Sequence, residues 1–161
     1  MLKKAFIFDL DHTVVDTSHR ILTRQDGSLD LNHWRENSTR EKILRDSLLP
    51  LAEVMRSAIH TGAIVAICTS RVMSAHDFEF LEINGLRYHY IMYRLGEYDR
   101  RPDADFKYDK LTHFLEHFEV QPKRAIFYDD NASVLKMALS LGIDARNAID
   151  HNHKLSGVKS A

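Results

Sequence analysis

Side chains with oxygen ligands follow three short apolar runs, and together they could hold a hard metal ion. Carboxylates gathered in a partly desolvated cleft would repel one another strongly, so a cation is needed among them. Oxygen ligands without cysteine favour magnesium over zinc. The polar residues are Asp9 and Asp11 after residues 5–8, Thr69 and Ser70 after residues 63–68, and Asp129 and Asp130 after residues 124–128.

The three apolar runs predict the elements that position these side chains. Each run is short and apolar on both faces, which is typical of a buried parallel strand. Segments with apolar residues at helical spacing separate them, and strands that alternate with helices predict an α/β fold with a doubly wound, Rossmann-like parallel sheet. Ligands bind outside the carboxyl ends of such strands, where the acidic residues lie. A further helix is expected over 73–84 and a further strand over 88–93.

The chain has the length of one ordinary domain, and we expect residues 1–161 to form a single unit. Residues 16–47 are polar, lack strong periodicity and are too long for a plain loop. They are expected to form a small lid or insertion with short helical pieces, over the end of the first strand. Residues 151–161 are expected to be a flexible tail.

Composition narrows the classes of function. The formal net charge is −1, from 22 basic and 23 acidic residues, so no global field would concentrate nucleic acid on the protein. The longest apolar stretches fall far short of the roughly 20 residues of a membrane span, and the N-terminus lacks a signal-peptide layout. A cytoplasmic protein is therefore expected. The single cysteine, Cys68, excludes a disulfide within the chain.

The order of the motifs resembles that of the haloacid dehalogenase superfamily of phosphotransferases. The run Asp9-Leu10-Asp11-His12-Thr13 matches the first motif of that family, Asp-x-Asp-x-Thr, and the other motifs follow in order over about residues 3–145. The resemblance implies a magnesium-dependent phosphatase that forms an aspartyl-phosphate. It also implies the site roles: Asp9 as nucleophile and metal ligand, Asp11 as acid–base residue and carbonyl ligand, Thr69 and Lys107 on the phosphoryl group, and Asp129 and Asp130 completing the Mg²⁺ site.

Beyond these motifs the chain continues through Asp16, Ser18, His19 and Arg20 to Trp34, and after Thr69-Ser70-Arg71 through Met92, Arg94 and Arg101 to Lys107. This layout resembles more closely the phosphatase domain of phage-type polynucleotide kinase, which removes terminal 3′-phosphates from nucleic acid. No Gly-x-x-x-x-Gly-Lys-Ser/Thr phosphate loop occurs in residues 1–161, so phosphatase activity without kinase activity is expected. The resemblance implies a phosphatase acting on nucleic-acid 3′-phosphate ends through an open cleft. Its substrate-binding residues would be Ser70, Arg71, Arg20 and Arg101.

Two other functions stay open at this point. A phosphatase of nucleoside monophosphates or other small metabolites would use the same catalytic residues and would differ only at the rim of the cleft. A non-catalytic, metal- or partner-binding module could also have this fold. A polynucleotide phosphatase predicts arginines and an aromatic side chain, such as Trp34 or Tyr93, along an open groove.

Individual assignments stay open as well. Ser70 could be the phosphate donor in place of Thr69, and Lys110 lies three residues from Lys107. His12 stands where members of the superfamily often have glycine. Its side chain could narrow the entrance or touch substrate, or it could be a tolerated variation.

Overall fold

The computed structural model describes residues 2–160, and the side chains of residues 2–157. Five strands form a parallel sheet in the order β5-β4-β1-β6-β7. Two further strands form a separate antiparallel pair, β2 with β3. The strands are β1 Ala5–Phe8, β2 Val15–Asp16, β3 Ser47–Leu48, β4 Ile64–Val72, β5 Tyr90–Arg94, β6 Ala125–Asp129 and β7 Asp144–Asn147.

Strand β1 lies in the centre of the sheet and is apolar on both faces. Phe8 packs into the core on one face, whereas Ala5 and Ile7 pack into the core on the other. This arrangement explains why the run carries no polar alternation, because both faces of the strand are covered by helices. The predicted doubly wound α/β sheet is confirmed.

Seven α-helices connect and cover the described strands. Two of them lie in the insertion, and the others flank the sheet. Gly62 and Gly142 adopt positive φ angles of 80° and 86° just before β4 and β7, so each turn uses a conformation that glycine adopts readily. The helices are α1 Leu31–Glu36, α2 Arg40–Leu44, α3 Leu51–Ala58, α4 Ala75–Ile83, α5 Asp103–His117, α6 Ala132–Ser140 and α7 Ala148–Ser160.

Residues 16–47 leave the sheet after β1 and return before α3. The pair β2–β3 joins the two ends of this insertion, and a short 3₁₀ helix (Ser18–Arg20), α1 and α2 lie within it. Arg40 on α2 forms two hydrogen bonds to Glu79 on α4, at 2.9 and 2.5 Å. The insertion therefore packs against the main domain beside the carboxyl end of β4.

The structure differs from the sequence-based expectation at the C-terminus. Residues 151–161 were expected to be a flexible tail, but α7 continues through them to Ser160, and Ala161 lies outside the described residues. Asn152 is buried, and its side chain accepts a hydrogen bond from the Leu51 backbone at 2.8 Å. This contact fixes the first turns of α7 against the start of α3, so that part of the chain belongs to the domain.

No helix among the described residues is both long enough and apolar enough to cross a membrane.

Candidate active site

The Asp9–Thr13 loop continues directly from β1. The Asp9 amide donates to the Tyr128 carbonyl at 3.0 Å, which extends the pairing of β1 with β6 by one residue. The loop then turns tightly, since the Thr13 amide donates to the Leu10 carbonyl at 3.1 Å. The Thr13 hydroxyl donates to Asp9 Oδ2 at 3.3 Å. These bonds fix the Asp9 carboxylate at the carboxyl end of the central strand.

His12 has a left-handed backbone conformation in this loop. Its φ angle is 59°, in the left-handed region that non-glycine residues seldom adopt. Its amide donates to the Val15 carbonyl at 2.8 Å, so the turn closes on the start of β2. Glycine adopts a positive φ angle readily, which would explain why glycine is frequent at this position in the superfamily. In this chain a histidine tolerates the same conformation.

Asn152 supports the loop from behind. Its side-chain amide donates to the Thr13 carbonyl at 2.9 Å, while its oxygen accepts from Leu51. One buried side chain thus connects α7, the start of α3 and the catalytic loop. Asn152 was not predicted from the sequence, because its segment was expected to be a flexible tail.

Lys107 reaches the site from the second turn of α5. Its side chain is buried, and Nζ donates to Asp9 Oδ1 at 3.0 Å and to Asp129 Oδ2 at 2.7 Å. Burial opposes the charged lysine, but the Asp9 and Asp129 carboxylates raise the pKa of Lys107 well above its usual value. Lys107 is therefore a permanent cation between the two acids. Lys110 lies instead over the Phe106 ring, 5.6 Å from its centroid.

Three carboxylates gather at this position. One oxygen from each of Asp9, Asp129 and Asp130 lies within 4.8 Å of the others. Burial, followed by the charge of Asp129, raises the pKa of Asp9 well above the usual carboxyl value, and the same two causes raise the pKa of Asp130. Lys107 relieves only part of the repulsion among these hard oxygen donors, so the cluster fits a divalent cation such as Mg²⁺. Asp11 was predicted to ligate the ion through its backbone carbonyl, and its carboxylate contacts a different partner.

That partner is Arg71, at the end of β4. Its Nη2 and Nε donate to the two oxygens of Asp11 at 2.6 and 2.8 Å, and its Nη1 donates to Asp77 at 2.8 Å. Burial favours the neutral acid, but the charge and hydrogen bonds of Arg71 prevail and hold the pKa of Asp11 below its ordinary value. The guanidinium donors predicted to bind phosphate are thus occupied by two carboxylates.

Arg20 is fully buried and holds the insertion together. It forms a bidentate pair with Asp46, with Nε–Oδ1 and Nη2–Oδ2 distances of 2.8 and 2.9 Å. The indole of Trp34 lies over this guanidinium at 4.2 Å and over that of Arg71 at 5.4 Å. Arg20 therefore connects the two ends of the insertion, and Trp34 bridges it to the arginine that holds Asp11.

The two hydroxyl residues of β4 have different surroundings. Thr69 is fully buried, and its Oγ1 accepts a hydrogen bond from the Arg71 amide at 3.2 Å. Ser70 Oγ is buried and has no hydrogen-bond partner among the described residues. A buried hydroxyl without a partner is uncommon, because losing its hydrogen bonds to water costs free energy. Both hydroxyls stay candidates for the predicted phosphate contact.

Arg101 lies on the surface of the loop between β5 and α5. It pairs with Asp99 at 2.8 Å and with Asp109 at 3.4 Å, and its side chain is 44% exposed. The neighbouring Arg94 is buried, and its pairs with Asp99 and Asp103 measure 3.3 and 3.1 Å. The positive charges of Arg94 and Arg101 are thus largely neutralised by nearby acids.

Two acids that hold the arginines, Asp46 and Asp77, were not among the residues predicted from the sequence. Asp77 carried a recognisable signal, because Ser74 and Asp77 form a capping box at the start of α4. That motif predicts a helix start and says nothing of an arginine partner. Asp46 lies in a polar segment without periodicity, so only the folded insertion reveals its burial.

Comparison with known proteins shows the family of this chain. The family described as bacteriophage T5 5'-deoxynucleotidase matches residues 1–160. The chain belongs to this family. The 5'-deoxynucleotidase of Escherichia phage T5 is 36% identical over 90 residues, which are 53% of this chain and 37% of that protein. The match therefore spans little more than a third of the relative's length.

Solved structures share the fold of this 5'-deoxynucleotidase family member. A haloacid dehalogenase-like hydrolase from Streptococcus pneumoniae has a TM-score of 0.67 and 15% identity, over 98% of this chain and 97% of that one. A chain of the Pnkp1/Rnl/Hen1 complex has a TM-score of 0.62 and 23% identity, over 91% and 46%. The haloacid dehalogenase-like fold that the motifs predicted is therefore confirmed.

Proposed function

We propose that this protein is a phosphomonoesterase that hydrolyses deoxynucleoside 5′-monophosphates through an aspartyl-phosphate on Asp9. The observation that carries the proposal is the buried contact of Asp9 with Lys107. Asp129 and Asp130 lie beside this contact, and Asp11 follows Asp9 by two residues. Family membership supports the predicted class of enzyme, a hydrolase of phosphoric monoesters. It also favours the nucleotide over the 3′-phosphate end among the substrates considered.

Asp9 would attack phosphorus with the carboxylate oxygen that is not held by Lys107. Its Oδ1 accepts from Lys107 and its Oδ2 accepts only the longer bond from Thr13, at 3.3 Å. A carboxylate approaching a phosphate dianion meets strong repulsion, which Lys107 reduces by sharing its charge with Asp9 and the transferring group. The new bond joins Asp9 to phosphorus, and the bond from phosphorus to the nucleoside oxygen breaks.

Asp11 would handle the protons of both half-reactions. It would protonate the departing nucleoside oxygen and then take a proton from the water that hydrolyses the aspartyl-phosphate. Arg71 holds Asp11 by both oxygens, so its carboxylate has a fixed direction before substrate arrives. Because Arg71 also favours the ionised form, Asp11 would take up a proton from solvent before it transfers that proton to the leaving oxygen. The ionised form that this transfer leaves would then accept a proton from the hydrolytic water.

Asp9, Asp129 and Asp130 would hold Mg²⁺. When bound, the ion would supply positive charge that neutralises the phosphate and the three carboxylates. Asp129 is already fixed from two sides, by Lys107 at one oxygen and by the Asn131 amide at the other, at 2.9 Å. Asp130 is the most accessible of the three and would contribute the most adaptable ligand.

The test is phosphate release from deoxynucleoside 5′-monophosphates, ribonucleotides, a 3′-phosphorylated oligonucleotide and an aryl phosphate, with and without Mg²⁺. We expect Mg²⁺-dependent release that is fastest with the deoxynucleotides. Asp9→Asn should abolish it, whereas Asp26→Asn, in an exposed turn, should match the wild type. Fastest release from the 3′-phosphorylated oligonucleotide would favour the polynucleotide alternative. Release that survives in Asp9→Asn would contradict the proposed chemistry.

A further inference from the structure

The two most exposed large apolar side chains among the described residues lie close together in the chain. Leu95 is 72% exposed and Tyr98 is 77% exposed, and both belong to the segment that follows β5. Val72, at the end of β4, is 42% exposed and pairs in register with Arg94, the residue before Leu95. We call Val72, Leu95 and Tyr98 the rim patch. Apolar side chains grouped on a surface are typical of a binding site.

The rim patch borders the candidate active site. Arg94 Nε donates to the Ser70 carbonyl at 3.0 Å, and Arg94 Nη1 donates to the Asp99 carbonyl at 2.9 Å. One buried guanidinium therefore ties the segment 95–99 to the end of β4, next to Thr69. A few residues further on, α5 begins and carries Lys107 to Asp9.

The insertion approaches the same segment from the other side. Arg35 on α1 donates to Glu97 at 2.6 Å. Its neighbour Trp34 lies over the guanidinium of Arg71, which in turn holds Asp11. These contacts connect Asp11, which would protonate the leaving nucleoside oxygen, with the segment that carries Leu95 and Tyr98.

The exposed ring of Tyr98 lies against the backbone of Gly96. A Cβ atom at Gly96 would lie only 2.4 Å from a carbon of the Tyr98 ring, so the ring rests directly against the glycine backbone. Glycine at this position makes the close approach possible. An aromatic ring that is fixed on one side and open to solvent on the other can stack on a planar group without first being ordered.

The two aromatic residues that the sequence suggested for a groove are already engaged. The face of Trp34 lies 4.2 Å from the Arg20 guanidinium, and Tyr93 packs edge-on against Phe78 with ring centroids 5.7 Å apart. Tyr98 has no comparable ring contact among the described residues. It is the aromatic side chain at this edge whose surface is available.

We propose that the rim patch binds the nucleobase of the mononucleotide substrate, with Tyr98 stacking on the base and Leu95 and Val72 lining its edge. This inference rests on the proposed function, because it places the leaving nucleoside beside the Asp9 phosphoryl site. Stacking tolerates every base, since each has a π face. The patch would therefore select nucleotides over other phosphate esters without selecting strongly among the four bases.

The first experiment compares kinetics of wild type, Tyr98→Ala and Tyr98→Phe on a deoxynucleoside 5′-monophosphate and on deoxyribose 5-phosphate, which lacks the base. We expect Tyr98→Ala to raise KM for the nucleotide about tenfold, with kcat within about twofold, because only base stacking is lost. KM for deoxyribose 5-phosphate should not change. Tyr98→Phe should restore nucleotide binding, and Leu139→Ala, an exposed apolar residue at the far end of α6, should match the wild type.

The second experiment separates this inference from the proposed chemistry. Calorimetric binding of the nucleotide and of inorganic phosphate is measured with Mg²⁺ in Asp9→Asn, with and without Tyr98→Ala. We expect Tyr98→Ala to weaken nucleotide binding about tenfold and to leave phosphate binding unchanged. Such a result would support the base site even if the wild type released no phosphate. Equal nucleotide affinity with and without the Tyr98 ring, or equal losses for both ligands, would overturn it.

Discussion

Arg71 grips both carboxylate oxygens of Asp11, at 2.6 and 2.8 Å, and its third donor group is held by Asp77. The acid–base residue of the candidate site is therefore fixed by an arginine that is itself fixed at the start of α4. A planar fork that meets a carboxylate in this manner gives both strength and direction.

The first prediction concerns Arg71→Lys. Lysine keeps the charge but cannot form the two-nitrogen contact, so Asp11 should lose its direction and kcat should fall about 100-fold, at the lower end of the contribution of acid–base catalysis. Arg71 holds the pKa of Asp11 down. The weaker contact should let that pKa rise, and the acidic limb of the kcat–pH profile should move to higher pH.

Steady-state kinetics over a range of pH would check this expectation. Arg45→Lys is the matched control, because Arg45 pairs with Glu41 on the exposed side of α2. An unchanged kcat together with an unmoved acidic limb in Arg71→Lys would show that Arg71 does not position Asp11.

The second prediction compares Lys107→Ala with Lys110→Ala. Lys107 lies between Asp9 and Asp129, so its removal leaves buried carboxylates without their partner, at a cost of about 3–5 kcal/mol in the free energy of unfolding. Activity should fall about 100-fold or more, as when one electrostatic stabiliser of a transition state is lost. Lys110→Ala should behave almost as the wild type.

Urea denaturation and phosphatase assays of both variants would test this expectation. Mg²⁺ should recover part of the lost stability in Lys107→Ala, because the cation would neutralise the same carboxylates. If Lys110→Ala proved the more damaging change, the assignment of the active-site lysine would be mistaken.

The third prediction concerns the dependence of stability on pH and Mg²⁺. Burial and mutual repulsion raise the pKa values of Asp9 and Asp130. Without Mg²⁺, ionisation of these two groups should therefore destabilise the fold. The free energy of unfolding should fall as pH rises from the ordinary carboxyl pKa through the raised pKa values of Asp9 and Asp130. Mg²⁺ binds the ionised carboxylates, so it should raise Tm more at about pH 7.5 than at about pH 5.

Thermal denaturation with and without MgCl₂ at the two pH values would measure the effect. Asp130→Asn removes one ligand from the accessible side and should reduce the Mg²⁺-dependent increase in Tm. An increase in Tm of equal size at both pH values would argue against the carboxylate cluster as the cation site.

The fourth prediction tests the backbone role of His12. Its φ of 59° costs an L-residue about 1–2 kcal/mol, and glycine avoids that cost. His12→Gly should therefore be more stable than His12→Ala by about 1 kcal/mol in urea denaturation. If the two variants were equally active, His12 would serve as a turn residue. Lower stability of the glycine variant would contradict the strained conformation.

Much of this architecture could be predicted from the sequence. Strand β1 has apolar side chains on both faces, so the sequence alone predicted a buried strand. The position of Asp9 at the carboxyl end of that strand could be predicted with it. Strand β7 was not predicted, because Asp144–Asn147 is short and polar and lies at an edge of the sheet. Its assignment depends on pairing with β6, which no local pattern reports.

The support of the site was harder to predict than its catalytic residues. Asp9 and Lys107 stand 98 positions apart, yet each belongs to a motif with a known place in the fold. Asp46 and Asn152 belong to no such motif, and their roles come from burial beside a distant partner. Arg71 was expected to bind phosphate, but its donors bond to Asp11 and Asp77. Only the folded Asp9–Thr13 loop and α4 reveal this preference.

The most direct test of the central claim is to trap the phosphorylated enzyme. Asp11→Asn would be mixed with Mg²⁺ and an aryl phosphate whose leaving group needs no proton, quenched in acid, and mapped by peptide mass spectrometry. We predict one phosphoryl group on Asp9, because the variant can form the aspartyl-phosphate but cannot activate water to hydrolyse it. Absence of a phosphorylated peptide from a variant that still releases the aryl alcohol, or a phosphoryl group on another residue, would contradict the account.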